Sequence, residues 1–276
     1  MKFNTDSYYA IGSSHTVCQD YSLSKLISYN IENDAAFALV CDGCSGSENS
    51  DFGARLIAKC AENRLKYFFA EEKSFRLKLA DAADYCRDIL DLNKECLDAT
   101  LLFAQADFNG YEIRAYGDGG ILKLKHDGTI EYTFIEYPSG APLYLNYYLD
   151  NDRFERYKSQ FGLQRKIYKW NLSSDNESNV NFTVVSDESG EPYVEYGDND
   201  YKVIAVASDG IASFMKYIDK TIEPANMIDI VRQVMDFKSV KGEFIKRRMN
   251  GFKNYCEKNS LKHLDDFSIA GISFEK

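Results

Sequence analysis

The sequence predicts an α+β fold in which antiparallel sheets carry helices on their outer faces. Three observations lead there. Strand-like and helix-like segments come as strand, helices, many strands, helices, strand, whereas a doubly wound fold needs regular alternation. Two pairs of strand-like runs are joined by Asn109-Gly110 and Asp127-Gly128, short turn signals that connect antiparallel neighbours. AFALVC at 36–41 and VIAVA at 203–207 are apolar throughout and read as interior strands.

Taken in order, the strand at 36–41 runs straight into Asp42-Gly43. Ser50-Asp51 is placed to cap a helix with apolar residues at Leu56, Ile57, Cys60, Ala61, Leu65, Phe68 and Phe69, the period of one helix face. A second helix is expected over 76–97, with Leu79, Ala83, Cys86, Ile89, Leu90 and Leu97 inward. The period then shortens. Residues 101–108 and 111–118 predict one hairpin, and 121–137 another. Residues 138–200 mix aromatics and Pro138, Pro142 and Pro192 with polar runs, and 187–200 hold six acids and no base, which predicts a solvated loop. After the strand at 203–207 come helices at 224–237 and 240–258, then a last strand at 267–274.

Composition narrows the function. The chain has 276 residues, 45% of them hydrophobic, enough for a substantial core. A net charge of −10 excludes nucleic acid as the main partner, since a phosphate backbone needs a basic face. It leaves a phosphorylated substrate open, because metal ions supply positive charge locally. No apolar run is long enough to cross a bilayer, and MKFNTDSYYAIGSSH lacks a signal-type apolar core. A cytoplasmic protein with no membrane partner is the expectation. Seven irregularly spaced cysteines fit reduced thiols. Cys41 and Cys44 form a C-x-x-C without the second ligand pair that zinc needs.

Five acids share one context. Asp42 ends AFALVC, Asp118 ends YEIRAYG, Asp209 ends VIAVAS, Asp265 immediately precedes FSIAGISF, and Asp20 follows Cys18-Gln19. If those strand ends meet, carboxylates gather at one rim. Two such groups about 4 Å apart repel by roughly 4 kcal/mol at an effective dielectric of 20. Their pKa values rise, or cations fill the site. Oxygen-only donors favour Mg²⁺ or Mn²⁺ over zinc.

The motifs S-H-x-x-x-C-Q-D, V-C-D-G-x-S-G, Y-G-D-G, A-S-D-G and D-D-F-S, in that order from about Ile11 to Phe274, resemble the metal-dependent Ser/Thr protein phosphatases of type 2C, closest to a bacterial and phage-type branch. The resemblance implies a sandwich of two antiparallel β-sheets flanked by antiparallel helices, the αββα fold. It also implies a single metal-dependent phosphatase domain over 1–276, with an irregular, insertion-like segment at about 138–200. The implied reaction is hydrolysis of phosphoserine or phosphothreonine by a water activated between two Mn²⁺ or Mg²⁺ ions, with a third ion in some members. Asp42 matches the bridging acid, Gly43 the glycine whose carbonyl binds one ion, and Asp209 and Asp265 the remaining carboxylate ligands. Asp118 matches the acid that shares the third ion with Asp209. Asp20 matches an acid that orders metal-bound waters. Asp266 stands where many members have Asn, beside the start of the last strand. A phosphoprotein substrate and a cognate Ser/Thr kinase are the implied partners.

Two positions depart from the family. Its phosphate-binding Arg aligns with His15, and a His often found after the first Asp-Gly is Cys44 here. His15 is therefore open to three roles: general acid, phosphate ligand, or structural histidine. The alternative function is a catalytically weak or inactive relative that binds phosphoproteins or regulates a partner. A Ser/His/Asp hydrolase through Ser14 or Ser45 is disfavoured, since no G-x-S-x-G is present and His15, His126 and His263 are the only histidines.

Overall fold

The computed structural model describes residues 2–28, 34–64, 72–173, 180–218 and 221–275. Strands β1 (Lys2–Ala10), β2 (Asp20–Ser28) and β3 (Asp34–Asp42) lead into helices α1 (Ser50–Arg64) and α2 (Glu72–Ile89). Hairpins β4 (Leu101–Asp107)/β5 (Gly110–Tyr116) and β6 (Gly119–Lys125)/β7 (Ile130–Glu136) follow, turning at Asn109-Gly110 and Asp127-Gly128 as expected. Next come α3 (Asn151–Phe161), β8 (Arg165–Leu172), β9 (Val180–Asp187), β10 (Tyr193–Gly197) and β11 (Tyr201–Ala207). The chain continues through β12 (Phe214–Ile218), β13 (Thr221–Pro224), α4 (Met227–Met235), α5 (Phe244–Lys258), β14 (Leu261–His263) and β15 (Phe267–Glu275).

A seven-stranded sheet has the order β1-β15-β11-β6-β7-β8-β9, and a five-stranded sheet the order β10-β5-β4-β3-β2. Every pairing is antiparallel. Strand side chains alternate between faces, so a strand with both faces covered is apolar throughout. In β3, Ala36, Ala38 and Val40 face the core between the sheets, while Phe37, Leu39 and Cys41 face α1 and α2. In β11, Ile204 and Val206 enter the same inter-sheet core, and Val203, Ala205 and Ala207 meet α4 and α5. The layers are thus helices, sheet, sheet, helices, the sandwich that the motifs implied. A third, three-stranded sheet, β13-β12-β14, sits beside α5 and was not expected.

Three expectations need correction. The helix expected over 76–97 stops at Ile89. Asp91 takes φ 53° and Asn93 caps a separate 3-10 turn, Lys94–Leu97, by accepting from the Cys96 N–H. Leu97 is still buried, but Ile89 and Leu90 are 65% and 51% exposed rather than inward. Leu65, Phe68 and Phe69 of the first helix lie outside the described residues.

The solvated loop expected at 187–200 contains a strand. β10 adds to the edge of the five-stranded sheet beside β5, with Tyr193 opposite Ala115. Three acids of 187–200 are paired: Glu195 takes Lys123 and the hydroxyls of Tyr111 and Tyr193, Asp187 takes Arg165, and Glu191 takes Arg76.

Candidate metal centre

Antiparallel pairing brings the five motif ends to one rim. Asp20 opens β2 and Asp42 closes β3, and the two are directly paired. Ala207, the last residue of β11, is opposite both Gly120 of β6 and Ile269 of β15, so Asp209, Asp118 and Asp265 all leave the seven-stranded sheet at the same end. Asp118 stands where the chain crosses from one sheet to the other. Gly117 and Gly119 flank it at φ 96° and 135°, a left-handed stretch that side-chain-bearing residues resist.

Asp20 is fully buried. Its Oδ2 accepts from Ser208 Oγ at 2.6 Å, while Oδ1 is buried with no hydrogen-bond partner among the described residues. Ser208 Oγ in turn accepts from the Ser268 N–H at 2.9 Å, tying β2 to β11 and β15. Burial pushes the Asp20 carboxyl up to about 7, with the hydrogen bond from Ser208 opposing the rise and Asp209's charge adding to it. Burial first, then the charges of Asp20 and Asp209, hold Asp42 well above the usual carboxylate range. Asp118 is raised by burial and then by Asp209 and Asp265, and Asp209 by burial and then by Asp265. Asp209 Oδ1 is a second buried oxygen without a partner.

The backbone around these acids is tightly fitted. A Cβ on Gly43 would lie 2.6 Å from the Ser50 carbonyl oxygen, and one on Gly210 would lie 1.8 Å from that of Asp266. Asp266, buried, accepts from Gly12 N at 2.7 Å through Oδ1 and from Gln19 N at 2.6 Å through Oδ2, so it clamps the N-terminal turn as well as the start of β15. His15 lies between two acids, Nδ1 at 3.1 Å from Asp266 Oδ2 and Nε2 at 3.5 Å from Asp265 Oδ1. Burial lowers its pKa, but Asp266, Asp265 and Asp20 outweigh that and leave it raised. Cys41 is buried in β3, and all the cysteines are free.

The sequence reading missed Asp98. Its carbonyl accepts from Cys44 N at 2.8 Å, fixing the turn after Asp42-Gly43. Its buried carboxylate takes Arg153 Nη2 at 2.9 and 3.0 Å and Asn146 Nδ2 at 2.7 Å, and Ser47 Oγ at 3.3 Å. This links the carboxylate rim to the 138–164 segment. The only signal was an acid just before β4, in Asp98-Ala99-Thr100, without a glycine to mark it.

Among the described residues, no three acidic, histidine or cysteine side chains stand in ready-made metal-ligand geometry. The donor set nevertheless fits a hard divalent cation. It consists of oxygen atoms, its carboxyls resist ionisation without a counter-charge, and the buried Oδ1 atoms of Asp20 and Asp209 have nothing to accept from.

Residues 11–141 match the model of the family described as protein phosphatase 2C. The fold is similar over nearly the whole chain to several solved structures. Stp1, a serine/threonine phosphatase from Staphylococcus aureus, is 13% identical with a TM-score of 0.57, covering 100% of this chain and 96% of its own. The S. agalactiae serine/threonine phosphatase is 13% identical at 0.57, covering 99% and 100%. RsbX, solved in complex with magnesium, is 12% identical at 0.50, covering 99% and 96%. No curated protein sequence matches. The family model thus spans residues 11–141, a little under half of the chain, and the fold over the whole length is similar to that of bacterial phosphatases.

Proposed function

We propose that this protein is a divalent-metal-dependent phosphoprotein phosphatase acting on phosphoserine and phosphothreonine. The observation that carries the reading is the convergence of Asp20, Asp42, Asp118 and Asp209 at one rim with raised carboxyl pKa values, next to Asp265. Such a cluster is costly to a metal-free fold and useful to a metal-loaded one. Mn²⁺ or Mg²⁺ bound there supplies charge for the phosphate and lowers the pKa of an attacking water. Asp42, the Gly43 carbonyl, Asp209 and Asp265 would hold two ions, and Asp118 with Asp209 a third. Asp20, fixed by Ser208, would orient water at the rim. His15 carries N–H groups at the edge of the cluster, where they could reach a phosphate oxygen or a leaving group.

The test is hydrolysis of phosphoserine and phosphothreonine peptides with Mn²⁺, with and without EDTA. Activity that EDTA leaves unchanged would remove the metal mechanism. A second reading, a phosphoprotein-binding relative with weak or no turnover, is favoured by one observation: His15 replaces the family's arginine and already has two acids beside it. Tight calorimetric Mn²⁺ binding without turnover would select it. A cytoplasmic setting and a partner Ser/Thr kinase belong to the first reading. Among the described residues no helix is long and apolar enough to cross a membrane.

A further inference from the structure

The antiparallel register of β3 with β4 runs on past the end of β3 and the start of β4, to a bridge between Gly43 and Ala99. Around that bridge Thr100 N donates to the Asp42 carbonyl and Cys44 N to the Asp98 carbonyl, each at 2.8 Å, and Asp42 N donates to Thr100 Oγ1 at 3.1 Å. On the opposite side Gly43 N donates to the Gln19 carbonyl at 3.3 Å. The backbone at 42–44 is therefore fixed by residues 98–100 and by Gln19. Of these, Asp98 stands outside β4, at the end of the 3-10 turn Lys94–Leu97, so the sheet alone does not set its place.

A buried ion pair sets it. Asp98 is 6% exposed, and its carboxylate takes Arg153 Nη2 at 2.9 and 3.0 Å and Asn146 Nδ2 at 2.7 Å. Arg153 stands in the first turn of α3, where Asp150 accepts from its backbone N–H at 3.1 Å, and its guanidinium carbon lies 4.6 Å from the centre of the Tyr147 ring. The Asp98 carboxylate also accepts from Ser47 Oγ at 3.3 Å. Asp98 thus holds the loop after Gly43 at two points, Cys44 through its backbone and Ser47 through its side chain. Among the described residues Arg153 pairs with none of the five rim acids. A carboxylate buried this deeply is stable only while its cation stays, and loss of the cation drives it to rearrange toward water.

We propose that Asp98 and Arg153 are positioning residues for the metal centre: their ion pair fixes the Asp42-Gly43-Cys44 backbone, and with it the direction of the Asp42 carboxylate and the Gly43 carbonyl. The proposal rests on the metal reading given above. Residues that orient metal ligands from behind typically set affinity by roughly 10- to 100-fold. Two effects of losing Arg153 oppose each other. By charge alone, a lost cation makes the neighbourhood more negative and tightens the binding of a divalent ion. By positioning, a released Asp98 loosens the turn and weakens that binding. The sign of the change tells the two apart.

The test is calorimetric titration of Mn²⁺ into the full chain at a temperature where each variant is folded. Arg153→Met should weaken the tightest Mn²⁺ step by about tenfold, against the direction of its charge change. The Mn²⁺ concentration at half-maximal phosphopeptide turnover should rise by the same factor. Arg153→Lys should recover most of the loss, because a single guanidinium nitrogen makes both contacts to Asp98. Ser47→Ala cuts the loop's own hydrogen bond to Asp98 without stranding a charge, and should weaken Mn²⁺ about threefold, the size of one net hydrogen bond. If Arg153→Met fails to fold, Ser47→Ala decides. A merely structural pair would lower the melting temperature in EDTA and leave the Mn²⁺ affinity of the folded chain alone. Unchanged or tighter binding in Arg153→Met, or unchanged binding in Ser47→Ala where the first variant does not fold, would overturn the proposal by itself. A wild-type chain that takes up no Mn²⁺ would remove the metal reading and the proposal together.

Discussion

Asp20 and Asp42 face each other across β2 and β3 as directly paired residues, and the charge of Asp20 helps to hold the buried Asp42 carboxyl above its ordinary range. Replacing one acid removes a metal donor and relieves a repulsion in the same step. Asp42→Asn should lower phosphopeptide turnover by several orders of magnitude and raise the stability of the metal-free protein by roughly 1 kcal/mol. Turnover with saturating Mn²⁺ and thermal unfolding in EDTA measure the two effects. Near-normal kcat would show that Asp42 does not hold the metals.

The same burial gives a pH dependence with a defined sign. The Asp20 carboxyl is raised from 3.8 to about 7, so the folded protein retains a proton that the unfolded chain has released. Its contribution to metal-free stability is fully present below about pH 4 and is lost as pH rises through about 7. In EDTA, the urea midpoint should therefore be lower at pH 8 than at pH 5, and Mn²⁺ should restore it at pH 8. Asp20→Asn should shrink the difference. An unaltered difference in that variant would assign the effect to the general negative charge of the chain.

His15→Ala distinguishes the roles open to this residue. As a general acid, His15 matters more for an alkyl phosphate than for an aryl phosphate, whose leaving group scarcely needs a proton. Equal losses of kcat/KM on both substrates would indicate phosphate binding. Unchanged kinetics would leave His15 as a link between Asp265 and Asp266.

Gly210→Ala tests the close approach behind Asp209. The added Cβ has the Asp266 carbonyl oxygen at 1.8 Å, so β11 or the start of β15 must shift. A loss of about 3 kcal/mol or more, or failure to fold, is expected. Gly140→Ala is the control: φ is 68° with nothing near, so backbone strain alone should cost about 1 kcal/mol. Chemical denaturation of both variants makes the comparison.

The rim was legible because four of its five acids, all but Asp20, abut an apolar strand, and the glycines after Asp42, Asp118 and Asp209 marked sharp turns. The two-sided strands were legible for a related reason, since β3 from Ala35 to Cys41 and β11 from Val203 to Ala207 are apolar throughout. What escaped notice depended on partners far along the chain. β8 and β9 lie at the outer end of their sheet, where Phe182, Val184 and Val185 remain about half exposed and polar residues alternate with them. β10 was hidden among the acids of 187–200, since the counter-charges of Glu195, Asp187 and Glu191, namely Lys123, Arg165 and Arg76, sit on other elements. Asp98 was hidden similarly, because Asn146 and Arg153 come to it from a segment with no strand or helix pattern strong enough to place it.

The pairing of β1 with β15 along its whole length, Lys2 opposite Glu275 through Ala10 opposite Phe267, bears on how the chain reaches its folded state. Asp209 and Asp265 are translated well after Asp20 and Asp42. The strand that separates β1 from β11 is likewise translated long after β1. Contacts this distant in sequence close late and fold slowly. Before β11 and β15 pair, the earlier carboxylates stand as ordinary solvated acids, without the rim that the proposed metal centre requires.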